Sequence, residues 1–444
     1  GTVDGKEGTG GGMKIDTVAG DVIFKNNVAD SGALVSAYNG NYGAIYSGQD
    51  LTISNVQGDL RFDGNRAANN VGAFGVSGNV ILNNIGSITF INNSAGNTYA
   101  VGWVTNDWTV TNTGDITISD NSSGKQMGGI AVFGKTSFAY TGDITIEGNS
   151  TGGSNGALRF YGDFSVTNAG DISISENNAG NYNGALEISG NTSFTNTGKI
   201  TMDGNKAGWG YGVGQFQGDL TFANTRDISI SGNKSIDYGY GALAVKGETS
   251  FTNTGKITID DNTARWNGGA ALFEEGVTFA NTGDISISGN SADNYSGAME
   301  VTGDTSFTNT GKIALDNNTA GWHYGVGIFR GDLTFANTGD ISISGNKSTD
   351  YGYGALVVEG KISLVNTGKV TISENTAKWD VGALQANNGL EFINNRGGVL
   401  IENNAVDGVA GAMYLAFHDA VFSADQGDII VKGNTEKRGG DNPI

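Results

Sequence analysis

The amino-acid sequence predicts an all-β solenoid: a right-handed, single-stranded parallel β-helix of about 14 coils, with three short strands in each coil of roughly 28 residues. Three observations predict it. The Asn that ends each I-x-I-x-x-N run recurs at Asn65, Asn93, Asn121, Asn149, Asn177, Asn205, Asn233, Asn262, Asn290, Asn318, Asn346 and Asn375, in steps of 28 residues with two of 29. Each repeat holds three short stretches of alternating apolar and polar residues, such as DISIS, GAMEV and TSFTN, which is the strand pattern. No stretch keeps helical periodicity long enough for the crossover helix of a parallel α/β fold.

Each coil opens on a charged residue and runs into the first strand, whose Ile side chains face inward. Stacked on their equivalents one coil away (~4.8 Å), these apolar residues close a core that no single coil could close. The ladder Asn follows at a turn, where Asn tolerates left-handed backbone and its amide can bond to the coils above and below. Gly-Ala pairs come next (Gly156-Ala157, Gly184-Ala185, Gly241-Ala242, Gly297-Ala298, Gly354-Ala355) and mark a corner too tight for a large side chain. The last strand carries an apolar, mostly aromatic column: Leu82, Val110, Phe138, Val166, Phe194, Phe222, Phe251, Phe279, Phe307, Phe335 and Leu364. Two residues beyond it lies a second Asn column, Asn84, Asn112, Asn168, Asn196, Asn224, Asn253, Asn281, Asn309, Asn337 and Asn366, interrupted by Tyr140.

The opening charges alternate: Asp171, Lys199, Asp227, Lys256, Asp284, Lys312, Asp340, Lys369. Like charges would repel at coil spacing, so alternation predicts a ladder of opposite neighbours that fixes register. The alternation reveals a two-coil period. A four-coil period lies above it, because the segment starting at Phe194 returns at Phe307 with few changes, as recent duplication would leave it. Residues 1–19 are expected to be an N-terminal cap or a cloning remnant, residues 20–435 the β-helix, and residues 436–444 a polar tail.

Composition narrows the function classes. There are 74 glycines against one proline, Pro443, which is not a collagen composition. The regular spacing of apolar residues argues against disorder. The absence of cysteine removes disulfides, thiolate nucleophiles and Cys-ligated zinc, and cofactors are not expected. A formal net charge of −20 disfavours nucleic acid as a partner. No apolar run approaches the ~18 residues of a membrane span. The opening GTVDGKEGTGGGMK is not a signal peptide, so any leader is removed or lies outside this chain.

The units ITFINNSA, ISISGNSADNYSGAMEV and ITIDDNTARWNGGAALF resemble the polymorphic outer membrane protein repeat of chlamydial surface autotransporters. That family pairs F-x-x-N with G-G-A-[ILV]. Phe24 to Asn27 and Phe90 to Asn93 keep the first motif, whereas most units have Ile, as in Ile230 to Asn233 and Ile287 to Asn290. Gly268-Gly269-Ala270 and Gly128-Gly129-Ile130 approach the second, and in Ser296-Gly297-Ala298 its first Gly is replaced. The frequent Ile and the alternating coils point to a non-chlamydial relative. The resemblance implies a passenger domain on the surface of a Gram-negative bacterium, presented by an outer-membrane β-barrel outside this chain and acting as an adhesin. Its partners would be a host surface protein or glycan, or the same protein on neighbouring cells.

An enzyme on this scaffold, a polysaccharide lyase or hydrolase, would need clustered acids where the repeat breaks. The acidic pairs Asp260-Asp261 and Glu274-Glu275 fit solvated turns better than a catalytic or cation site. His323 and His418 are too few for a His-based triad or metal cluster. The feature that the scaffold does not require lies four or five residues after each ladder Asn: Tyr182, Trp209, Tyr238, Trp266, Tyr295, Trp322, Tyr351 and Trp379, with Tyr211, Tyr240, Tyr324 and Tyr353 close by. Such a stripe covers an open corner of the core, or offers a platform for a sugar or a partner, and the two roles are compatible. Earlier turns, NSSGKQM and NSTGGSN, lack it, which favours binding because corner closure is needed in every coil. The expected function is therefore a non-enzymatic adhesin, with a β-helical enzyme or a structural spacer as alternatives.

Overall fold

In the computed structural model, which describes residues 12–29, 42–168, 170–394, 396–417 and 419–437, all regular structure is parallel β. Three sheets hold 28, 14 and 15 strands, which gives about 14 coils. The chain divides into two compact units, Gly1–Gly198 and Lys199–Ile444.

In the second unit one coil reads Ile285–Ser288, Ser291–Ala292, Met299–Val301 and Thr305–Asn309. Three sheets match three expected strands per coil, but the assignment differs. The DISIS-type and TSFTN-type strands share the largest sheet, and the third sheet is built from two-residue strands such as Ser291–Ala292, which are too short to show alternation. Period-2 burial then sorts the side chains. Ile285, Ile287, Met299, Val301 and Phe307 point inward and are buried, with polar residues between them. Phe222, Phe251, Phe279, Phe307 and Phe335 stack with centroids 4.8–4.9 Å apart and near-parallel rings. In the first unit the column is mixed, and Trp108, Phe138, Phe164 and Phe194 meet edge-on instead, at 84–88°.

Among the described residues of the first unit the first strand, Met13–Val18, pairs along Leu51–Val56, so part of the stretch expected to be a cap or remnant is paired into the solenoid. Its strands Leu51–Asp63 and Val80–Ile91 run unbroken where later coils bend into two strands. The second Asn column changes character along the chain. Asn84 and Asn112 are exposed and left-handed (φ 55° and 51°), like Tyr140 beside them. In the second unit Asn224, Asn253, Asn281, Asn309 and Asn337 are buried, and each Nδ2 donates to the carbonyl two residues on.

The ladder Asn forms the expected bonded column, and the strain sits one residue earlier than the sequence suggests. Left-handed φ falls on the residue before each rung: Asn92, Asp120, Glu176, Asp261, Asn317, Glu374 and Asn403, or Gly64, Gly148, Gly204, Gly232, Gly289 and Gly345. The rung itself must direct its own N–H and amide along the stack, which leaves the bend to its neighbour. Glu374 is exposed and holds φ 59°, a conformation that disfavours any Cβ. Glu374→Gly is therefore expected to raise stability by about 0.5–1 kcal/mol, read as a higher thermal midpoint. An unchanged or lower midpoint would refute strain at this column.

The charge column also behaves differently from expectation. Among the described residues no ion pair joins Asp227 to Lys256, Asp284 to Lys312 or Asp340 to Lys369. Instead each Asp Oδ1 accepts the backbone N–H of the Lys one coil on, at 2.8–2.9 Å. In the first unit Asp115, Asp143 and Asp171 follow one another, and each carboxylate accepts the next Asp's N–H in the same way. A hydrogen bond to a backbone donor outweighs weak, screened repulsion between exposed carboxylates.

Candidate functional site

The aromatic positions lie on the turn between the two-residue strand and the next strand, Ser291–Ala292 and Met299–Val301 in one coil. The buried ladder Asn on one side and the Gly-Ala corner on the other fix both ends of this turn. A Cβ on Gly297 would run into the Gly325 carbonyl oxygen, so the corner admits no larger residue. With its ends held, the turn projects its middle side chains outward.

In the second unit Trp209, Tyr238, Trp266, Tyr295, Trp322 and Tyr351 are all exposed, between 38% and 55%, and Trp379 is half-buried. Their rings form two short stacks. Trp209–Tyr238–Trp266 has centroid steps of 5.4 Å, and Trp322–Tyr351–Trp379 repeats the spacing. Trp266 and Tyr295 do not form a ring pair, so the stripe is broken there. Tyr295 instead stacks on His323 at 4.8 Å, and His323 also contacts Tyr324. Burial holds the His323 imidazole below its ordinary pKa, with the Asp380 carboxylate opposing, so the ring is a neutral stacking partner near pH 7. Cross-coil ion pairs flank each stack: Arg265 with Asp237 at 3.0 Å, and Lys378 with Asp350 at 3.7 Å. Tyr182 belongs to the first unit, where it is exposed and has no ring partner among the described residues.

Behind the stripe lies a second, more buried tyrosine column. Tyr211 stacks with Tyr240 and Tyr324 with Tyr353, at 6.3 and 5.6 Å. Burial raises all four phenols, and Tyr353 is pushed up to about 12, so these rings stay protonated at physiological pH.

The arrangement supports stacking and hydrogen bonding. Asp260 is half-buried, with its carboxyl raised by burial and then by Asp261, Lys256 opposing and Asp203 adding to the rise, and Asp261 occupies a left-handed bend position. No group of three or more His, Asp or Glu positioned for a metal occurs among the described residues. His418 lies outside the described residues. A shallow trough of about 690 Å³ follows the T-N-T corner over several coils and is lined only by Ala, Asn and Thr.

One constellation was not singled out in the sequence. Glu300 accepts a hydrogen bond from Tyr240 Oη at 2.8 Å and pairs with Arg330 at 2.8 Å, and Arg330 reaches Glu359 at 3.3 Å. The available signal was Glu300 itself, a charge in a strand column where the neighbouring coils carry Leu272 and Ile328.

Residues 141–211 match a family described as "Repeats of unknown function (DUF5649)". No curated protein and no solved structure matches the chain.

Proposed function

We propose that the chain is the passenger portion of an autotransporter-type protein on a Gram-negative cell surface, acting as an adhesin through its aromatic edge. The observation that carries this reading is the row of exposed Trp and Tyr rings held in short stacks along the turns of the second unit. Large aromatic side chains left in water, with little freedom to collapse inward, gain most by covering a partner's apolar surface or a sugar face. Repetition at coil spacing makes many weak contacts add by multivalency, without a deep pocket. The partner class is a host surface protein or glycan, or the same protein on a neighbouring cell, and a net charge of −20 disfavours nucleic acid.

Replacing Trp209, Trp266, Trp322 and Trp379 together by Ala is expected to lower binding to a glycan and extracellular-matrix array at least tenfold. The thermal midpoint should change little, because the rings project from a turn fixed at both ends. Equal binding by a well-folded variant would remove the aromatic edge from the function, and turnover of a polysaccharide by the wild-type chain would replace adhesion with catalysis.

A further inference from the structure

The inner tyrosine column contains a gap. Successive coils place Tyr211, Tyr240, Gly268, Ser296, Tyr324 and Tyr353 at the same position, with parallel bridges joining Gly268 to Ser296 and Ser296 to Tyr324. The Tyr240 ring leans over Gly268: a Cβ there would come within 2.7 and 2.9 Å of its ring carbons. The place above Ser296 has no ring to fill it.

A cavity of about 260 Å³ occupies that place, lined by Asn267, Tyr295, Ser296, Glu300, Tyr324, Ile328 and Arg330. Its volume lies just below the usual 300–1,000 Å³ of small-molecule sites, room for a single ring. Ser296 is only 1% exposed, and its Oγ has no hydrogen-bond partner among the described residues, a state it shares with buried hydroxyls such as Thr249 and Thr305, but at Ser296 the hydroxyl borders the cavity. The half-buried Asn267 makes no side-chain hydrogen bond among the described residues. Glu300 and Arg330 are held against each other by Tyr240 and Glu359, and each keeps hydrogen-bonding capacity beyond those contacts.

We propose that this gap binds one neutral saccharide ring, a hexose or N-acetylhexosamine unit, in the place a tyrosine ring takes in neighbouring coils. The apolar C–H face of the sugar would lie against Tyr324 or Tyr295. Adjacent hydroxyls would donate to the Glu300 carboxylate and accept from the Arg330 guanidinium, and Ser296 and Asn267 would supply the remaining partners. Six of the seven lining residues carry polar side-chain atoms. An aromatic side chain from a partner would cover these groups without satisfying them, so the lining favours a polyol. Glu300 and Glu359 outnumber Arg330, which disfavours an acidic sugar. The site shares only Tyr295 with the exposed stripe and is independent of what that stripe binds.

Saturation-transfer NMR on the full chain tests this, with the methyl glycosides of glucose, galactose, mannose and N-acetylglucosamine at millimolar concentration and p-cresol as a separate probe. At least one glycoside is expected to receive saturation from the wild type. The signal should fall at least fivefold in Ser296→Tyr, which completes the tyrosine column, and in Glu300→Gln, which keeps the side-chain size. Both variants should melt cooperatively near the wild-type midpoint, and if Ser296→Tyr fails to fold, Glu300→Gln decides alone. Saturation of p-cresol and of no glycoside would overturn the proposal in favour of an aromatic partner side chain. No signal from either probe would overturn the cavity as a binding site, and a glycoside signal undiminished in the folded variants would overturn its location.

Discussion

Asn290→Ala is expected to destabilise the second unit by about 3–5 kcal/mol. Asn290 is fully buried, and all its polar atoms are committed along the stack. Its Oδ1 accepts from Asn262 N and Asn262 Nδ2 at 3.1 and 3.0 Å, and its Nδ2 donates to Ile259 O and Asn318 Oδ1 at 2.8 and 3.0 Å. Truncation removes the acceptor of the Asn262 backbone N–H and of Asn262 Nδ2, and one donor each to the Ile259 carbonyl and to Asn318 Oδ1. Each buried group left unpaired costs roughly 1–3 kcal/mol, and the amide leaves a small void besides. Because coils contact mainly their neighbours, the loss should concentrate there. Urea unfolding gives the magnitude, and amide exchange should show protection falling first around residues 262–318. A loss below about 1 kcal/mol would mean that the ladder sets register without holding the coils together.

Phe279→Ala is expected to cost a similar amount, about 3–5 kcal/mol, by a different route. Phe279 is fully buried between Phe251 and Phe307, with both centroid distances 4.8 Å and interplanar angles of 4° and 2°. Removing it deletes buried apolar surface and two ring contacts, and regularly spaced coils on either side cannot move in to fill the space. Phe279→Leu should recover roughly half of the loss, since it restores volume without the stack. Chemical denaturation of the two variants beside wild type checks the ordering, and Phe279→Ala at wild-type stability would mean that the column is not the core.

The coil length, the inward columns and the Gly-Ala corner could all be read from one chain, because stacking makes each depend on a residue type repeated at a fixed step. Asn290, Phe279 and Gly297 each occupy a position whose neighbours face the same constraint. What escaped depends on relations that a column does not encode. The left-handed bend accepts Gly, Asn, Asp and Glu alike, as at Gly289, Asn317, Asp261 and Glu374, so no residue type marks it. Alternating Asp and Lys suggested charge pairing, while the geometry uses the carboxylate of Asp284 for the backbone N–H of Lys312 and leaves the ammonium out. The aromatic stripe was visible as a pattern, but its break between Trp266 and Tyr295 follows from one-residue differences in where the ring sits on the turn. The cavity above Ser296 was hidden for the opposite reason: it is made by a tyrosine that is missing, and by Glu300 and Arg330 reaching across coils.

The Asn ladder runs one way. Asn262 lends its backbone N–H and its amide to Asn290, which lends its own to Asn318, and that one to Asn346. A partial stack within the second unit would therefore end in unused donors on its C-terminal face and in an unused acceptor on its N-terminal face. The two ends of such a stack are therefore chemically unlike but complementary: a coil added at the C-terminal face quenches donors, and one added at the N-terminal face quenches an acceptor, so every interface between coils in the ladder has the same polarity.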